Sequence, residues 1–151
     1  VIRKTLATTL VAGAALTGLA QTAHAAAAPV PPKPKSFEVC GKGELGKNGK
    51  CVKRAKQKAT GTVTFGSSAR VSGKATNKTR GTMDVTVHFF WKAHGKIRQH
   101  KRVIPVKAGR TDYEIGTAIP AHWRMVQKVT VQICKGPKTK RECGVTKTIR
   151  P

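Results

Sequence analysis

Hydrophobic and polar residues alternate along residues 83–91, MDVTVHFFW: Met83, Val85, Val87, Phe89 and Trp91 share one parity, while Asp84, Thr86 and His88 fill the other. Successive side chains of a strand point to opposite faces, so this alternation predicts a half-buried β-strand. The stretch holds three of the chain's seven aromatic residues, and any core must be built against it. Shorter runs of the same kind follow or precede it. Residues 61–65 place Val63 and Phe65 inward, 111–115 place Tyr113 and Ile115 on one face, and 128–134 place Val129, Val131 and Ile133 inward. Residues 69–77, 96–106 and 145–149 complete the set, with a short strand at Phe37 and Val39. Pro105 marks a strand end or an edge position, because proline cannot donate to a ladder. Residues 118–125, with Pro120 and Trp123, read as irregular or as one helical turn. Short strands divided by turns, with no amphipathic helix, predict an all-β sandwich or small barrel.

The first 25 residues break this pattern. Arg3 and Lys4 precede an apolar run over residues 6–20, and Ala23-His24-Ala25 is a small-x-small cleavage site. That arrangement reads as a secretory signal peptide. Residues 26–36 read as a Pro- and Lys-rich linker, 37–60 as a disulfide loop and basic connection, and 61–151 as the β-sandwich domain. Without the leader, 28 basic residues face six acidic ones, a net charge of +22 with His neutral. Charge of that size attracts anionic surfaces at low salt: nucleic acid, acidic cell-wall polymers or an anionic membrane. The expected location is extracellular or cell-wall associated.

Four cysteines after a leader predict disulfides. Cys40 with Cys51 and Cys134 with Cys143 each bracket a short loop rich in Gly and Lys, so two local bridges are expected. In the chain-entropy model each contributes roughly 3 kcal/mol. There is no C-x-x-C pair and no zinc-finger histidine spacing, so neither a metal nor another cofactor is expected.

The run from 71 to 134 resembles the immunoglobulin-like sandwiches of small bacterial exported proteins, the FxLYD-type domains among them. Val71-Ser72-Gly73 leading to Asn77, the alternating Val85 and Val87, Phe90-Trp91-Lys92-Ala93-His94-Gly95-Lys96 and Ala108-Gly109-Arg110-Thr111 carry the resemblance. Lys92 departs from it, standing where an acidic residue is usual. The resemblance implies an Ig-like antiparallel β-sandwich and no chemistry.

Residues 83–91 and 96–106 predict a hairpin. A three-residue loop, Ala93-His94-Gly95, with Gly95 left-handed, pairs Lys92 with Lys96. Trp91 then meets Ile97, Phe89 meets Gln99, Val87 meets Lys101 and Val85 meets Val103 on the core side. Lys101 is a misfit there, since a buried lysine is costly. The outward face pairs Phe90 with Arg98, His88 with His100 and Thr86 with Arg102. Together with Lys92 and Lys96 these residues form the expected anion-binding site, with Phe90 a stacking platform for a base.

Catalytic motifs are lacking: there is no G-x-S-x-G, H-E-x-x-H or phosphate loop. The best catalytic set is that of a small ribonuclease, Glu114, His122, His100 and Arg98, and no motif demands it. The basic loop between Cys134 and Cys143 offers another alternative, a protease inhibitor presenting Lys or Arg. The expectation is a non-catalytic, secreted, basic β-domain that binds an anionic polymer by electrostatics.

Overall fold

The computed structural model describes residues 33–66, 68–116 and 126–151. The expected leader, most of the linker and residues 118–125 with His122 lie outside them. Among the described residues nine strands form two antiparallel sheets: β1 (Lys35–Cys40), β2 (Gln57–Thr64), β3 (Arg70–Asn77), β4 (Met83–Ala93), β5 (Lys96–Val106), β6 (Gly109–Gly116), β7 (Lys128–Lys135), β8 (Glu142–Cys143) and β9 (Lys147–Ile149). The first sheet runs β1-β2-β3-β6; in the second β5, β4 and β7 lie side by side, with β8 and β9 on the far side of β7. The chain crosses from β3 to the β4–β5 hairpin, back to β6 beside β3, and over again to β7 beside β4. This is an Ig-like sandwich order, with β1 added outside β2. Strand β1 begins at Lys35, within the stretch read as linker, and Lys35 and Ser36 pair with Val63 and Thr62.

The inward parities meet as the alternation predicts. Val85, Val87 and Phe89 of β4 and Val129, Val131 and Ile133 of β7 are fully buried against Val63, Val71 and Ala75 of the first sheet. One row of the first sheet is unusual. Phe37, Gly61, Gly73 and Tyr113 are successive cross-strand partners on β1, β2, β3 and β6. A Cβ on Gly61 would lie 2.9 Å from Phe37 Cζ, and one on Gly73 would lie 2.9 Å from Tyr113 Oη. The two rings therefore come in from opposite edges and lie over the glycines, filling the layer that two missing side chains leave open.

Tyr113 Oη is buried and has no hydrogen-bond partner among the described residues. Burial pushes the phenol up from its ordinary value of 10.0. The fold holds the neutral form, so this contribution is whole below about pH 10 and is lost as pH rises beyond it. Tyr113→Phe is expected to raise stability by about 1 kcal/mol, because it removes a desolvated hydroxyl and keeps the ring. Urea melts at pH 7 and pH 10.5 check this: the variant leads at both, and its lead widens at the higher pH. An unchanged midpoint at both pH values contradicts it.

Both disulfides pair as expected, Cys40 with Cys51 and Cys134 with Cys143, closing sequence separations of 11 and 9. They meet at one end of the sandwich. Gly144 packs on the Cys40 carbonyl so closely that a Cβ there would overlap its oxygen. Its N–H donates to Ile133 O at 2.8 Å, and Lys42 reaches Glu142 at 3.2 Å across the two loops. Strand β4 starts at this stapled end, where Asp84 pairs with Cys134, and runs away from it to the hairpin tip.

A candidate anion-binding surface on the β4–β5 hairpin

The hairpin is closed by two residues, not three. His94 and Gly95 have φ of 48° and 75°, and Ala93 pairs with Lys96. A two-residue hairpin turn with positive φ at both central positions matches the twist of the flanking strands, and histidine tolerates that region better than branched residues do. The pairing is therefore one residue away from the expected register. Trp91 opposes Arg98, Phe89 opposes His100 and Val87 opposes Arg102, while Phe90 opposes Gln99, His88 opposes Lys101 and Lys92 opposes Ile97.

This slip exchanges the faces of β5, because strand side chains have a period of two. Lys96, Arg98, His100 and Arg102 take the parity of the core. They remain on the surface because β5 is an edge strand, and of its residues only Val106 is buried. His88, Phe90 and Lys92 lie on the outer face of the sheet. The seven expected site residues thus occupy two faces, with β5 between them. His88 and His100 do not face each other, so the expected histidine pair is not formed. Lys101, the misfit of the three-residue loop, lies exposed on the outer face opposite His88.

Phe90 is not an open platform. The Lys128 ammonium sits 4.4 Å from its ring centroid, and the His88 ring stacks beside it at 6.0 Å with planes 15° apart. Lys128 is directly opposite Phe90 on β7. The alternation along β4 gives no sign of it, because its position depends on a pairing between strands distant in the chain. A cation held over an aromatic face is favourable by about 0.5–1 kcal/mol at an exposed site, and an incoming base would have to displace it.

The electrostatics follow from where the carboxylates are. Glu38 accepts from Cys51 N–H at 2.9 Å and pairs with Lys58 at 3.2 Å. Burial acts to raise its carboxyl, but the Cys51 N–H and the Lys58 and Lys50 ammoniums outweigh it and hold Glu38 below its ordinary value. Glu44 accepts from the N–H groups of Lys56 and Gln57 at 2.7 and 2.9 Å. Asp84 binds Arg141, Asp112 lies 3.9 Å from Arg110, Glu114 lies 3.6 Å from Arg70, and Glu142 binds Lys42. All six acidic side chains are therefore engaged with partners outside the hairpin, Asp84 at the start of β4 included. Among the described residues no carboxylate pairs with Lys92, Lys96, Arg98, Lys101 or Arg102.

Of the ribonuclease set, Glu114 opposes Ser72 on the outward parity of the first sheet and pairs with Arg70, whereas Arg98 and His100 belong to β5. The loop between Cys134 and Cys143 makes a 3-10 turn at Lys138–Lys140, closed by Lys140 N–H to Pro137 O at 3.0 Å, and Arg141 is held by Asp84. Its basic residues are thus partly coiled and partly tied down, not displayed on an extended strand. Among the described residues no helix is long and apolar enough to cross a membrane. No protein-family model, no curated protein and no solved structure matches this chain.

Proposed function

We propose that this protein is a secreted, non-catalytic domain that binds an anionic polymer outside the cell, and that β5 is its contact strand. One observation carries the reading: among the described residues the lysines and arginines of β5 and the β4 tip are unopposed, while every Asp and Glu is engaged with a partner outside the hairpin. The leader-like first 25 residues and the two disulfides support an oxidising, extracellular setting. A cationic strand on a disulfide-stapled sandwich offers charge in a fixed line, which suits a chain-like anion better than a compact one.

The test is chromatography on immobilised heparin and on single-stranded DNA. The protein is expected to bind at about 50 mM salt and to elute steeply as salt rises. Arg98→Ala with Arg102→Ala is expected to lower the slope of log K against log salt on DNA by about 1.4, at roughly 0.7 for each phosphate that is no longer neutralised. The control is Lys53→Ala with Arg54→Ala, which removes the same charge from a solvated connection. Passage through both resins at low salt, or equal reductions in the two double variants, contradicts the assignment.

A further inference from the structure

The open side of β5 is more specific than its charge. In a hairpin closed by two residues the flanking pair, here Ala93 and Lys96, exchanges both backbone hydrogen bonds, and every second pair along the ladder does the same. Arg98, His100 and Arg102 are therefore bonded to β4. Ile97, Gln99, Lys101 and Val103 turn their N–H and C=O groups away from it. Among the described residues no strand pairs with that side, and all four residues are exposed. Pro105, opposite Asp84, falls in the same outward set, where its missing N–H costs the ladder nothing. The open edge thus runs over residues 97–103, about 20 Å of strand at roughly 3.3 Å per residue.

Such an edge alternates donors with acceptors. The phosphate or sulfate groups of a polymer only accept, and its base or hydroxyl donors do not recur at the two-residue spacing of the outward carbonyls of Ile97, Gln99, Lys101 and Val103. Another polypeptide in extended form answers both. A second copy of β5 is disfavoured, because it would set Lys96, Arg98, Lys101 and Arg102 against like charges. Cations on an edge ordinarily keep strands from adding, but that protection depends on the sign of the newcomer. Taking the charge recognition above as given, we propose that the anionic polymer bound by β5 is a polypeptide. An extended acidic segment adds to residues 97–103 as a further strand. Its backbone pairs with the open edge, and alternate carboxylates meet Arg98 and Arg102 on one face or Lys101 on the other.

The probe is a labelled eight-residue peptide of alternating Thr and Glu, with two derivatives N-methylated at either the Thr or the Glu amides. All three carry the same charge. Strand addition directs only one alternate set of peptide amides at β5. One derivative is therefore expected to bind as the parent does, and the other at least tenfold more weakly. The amides of Ile97, Gln99, Lys101 and Val103 are expected to exchange at least tenfold more slowly in the complex. Gln99→Pro removes an outward N–H without changing charge; it should retain DNA binding while losing the peptide by a similar factor, and the retained DNA binding reports that the variant is folded. Equal binding of all three peptides, with DNA retention intact, overturns strand addition and leaves charge recognition standing. If neither DNA nor any peptide responds to loss of Arg98 and Arg102, both readings fail.

Discussion

Gly73→Ala is expected to unfold the domain or to cost it at least about 4 kcal/mol, an effect at the extreme of single substitutions. The cause is steric and specific. A Cβ at this position would overlap the Thr60 carbonyl oxygen and come within 2.9 Å of Gly61 Cα and of Tyr113 Oη. Two of these obstacles are backbone of the neighbouring strand, so relief requires β2 and β3 to separate. Gly61 is its cross-strand partner and is enclosed in the same way by the Ser72 carbonyl and the Phe37 ring. Strand β2 pairs with β1, and β3 with β6, so separation here divides the first sheet in half. The control is Gly66→Ala, whose Cβ would meet nothing nearer than Ser68 O at 3.6 Å, and which should change stability by no more than about 0.5 kcal/mol. Chemical denaturation of the two variants decides the matter, and a Gly73→Ala protein melting beside Gly66→Ala contradicts the account.

The second large effect is at Asn77, which is 1% exposed at the end of β3. Its Nδ2 donates to Gly81 O at 2.9 Å and to Val106 O at 3.1 Å. Its Oδ1 accepts from Thr79 N–H at 3.0 Å and from Thr79 Oγ1 at 2.7 Å. One amide thus closes the turn that leads into β4 and ties the first sheet to the end of β5 in the second. Asn77→Ala leaves buried backbone groups without partners and opens a small cavity, at an expected cost of about 3 kcal/mol. Asn77→Asp is nearly isosteric and is expected to cost at least as much at pH 7, because it points a carboxylate at two carbonyls. Equilibrium melts at pH 7 check both; an aspartate variant as stable as the parent contradicts the donor assignment.

The sandwich is legible in the chain wherever one parity is apolar and buried. The alternation of Met83, Val85, Val87 and Phe89, and that of Val129, Val131 and Ile133, leaves one orientation each. The two disulfides are legible because each loop is short. Pro105 correctly marks an edge. The hairpin register is not legible, and the reason lies in β5 itself. Ile97, Val103 and Ile104 are distributed over both parities among cations, so neither face of the strand demands the core. The turn leaves the choice between two and three residues to the φ of His94. One signal does point to the right answer: the three-residue loop requires Lys101 to be buried, and the observed pairing exposes it. For the candidate site, the sequence identifies the cations of β5 but assigns them to the wrong face. Lys128 goes unseen, because a ring's occupant on another strand leaves no local trace.

The engagement of all six carboxylates has a consequence for how the protein tolerates change. Glu38, Glu44, Asp84 and Glu142 each hold a loop, a strand start or an inter-loop contact, so substitutions there fall on folding, whereas the exposed pairs of Asp112 and Glu114 contribute little. Among the described residues the hairpin lysines and arginines make no ion pair, so their substitution is expected to leave the fold intact and to fall on whatever they meet outside. A mutational scan scored separately for abundance and for ligand capture should therefore separate these two sets. Glu38, Glu44 and Asp84 are expected to lower the first score, and Arg98, Lys101 and Arg102 the second. Lys58 and Arg141, which pair with Glu38 and Asp84, belong with the first group, so the division is between paired and unpaired charge.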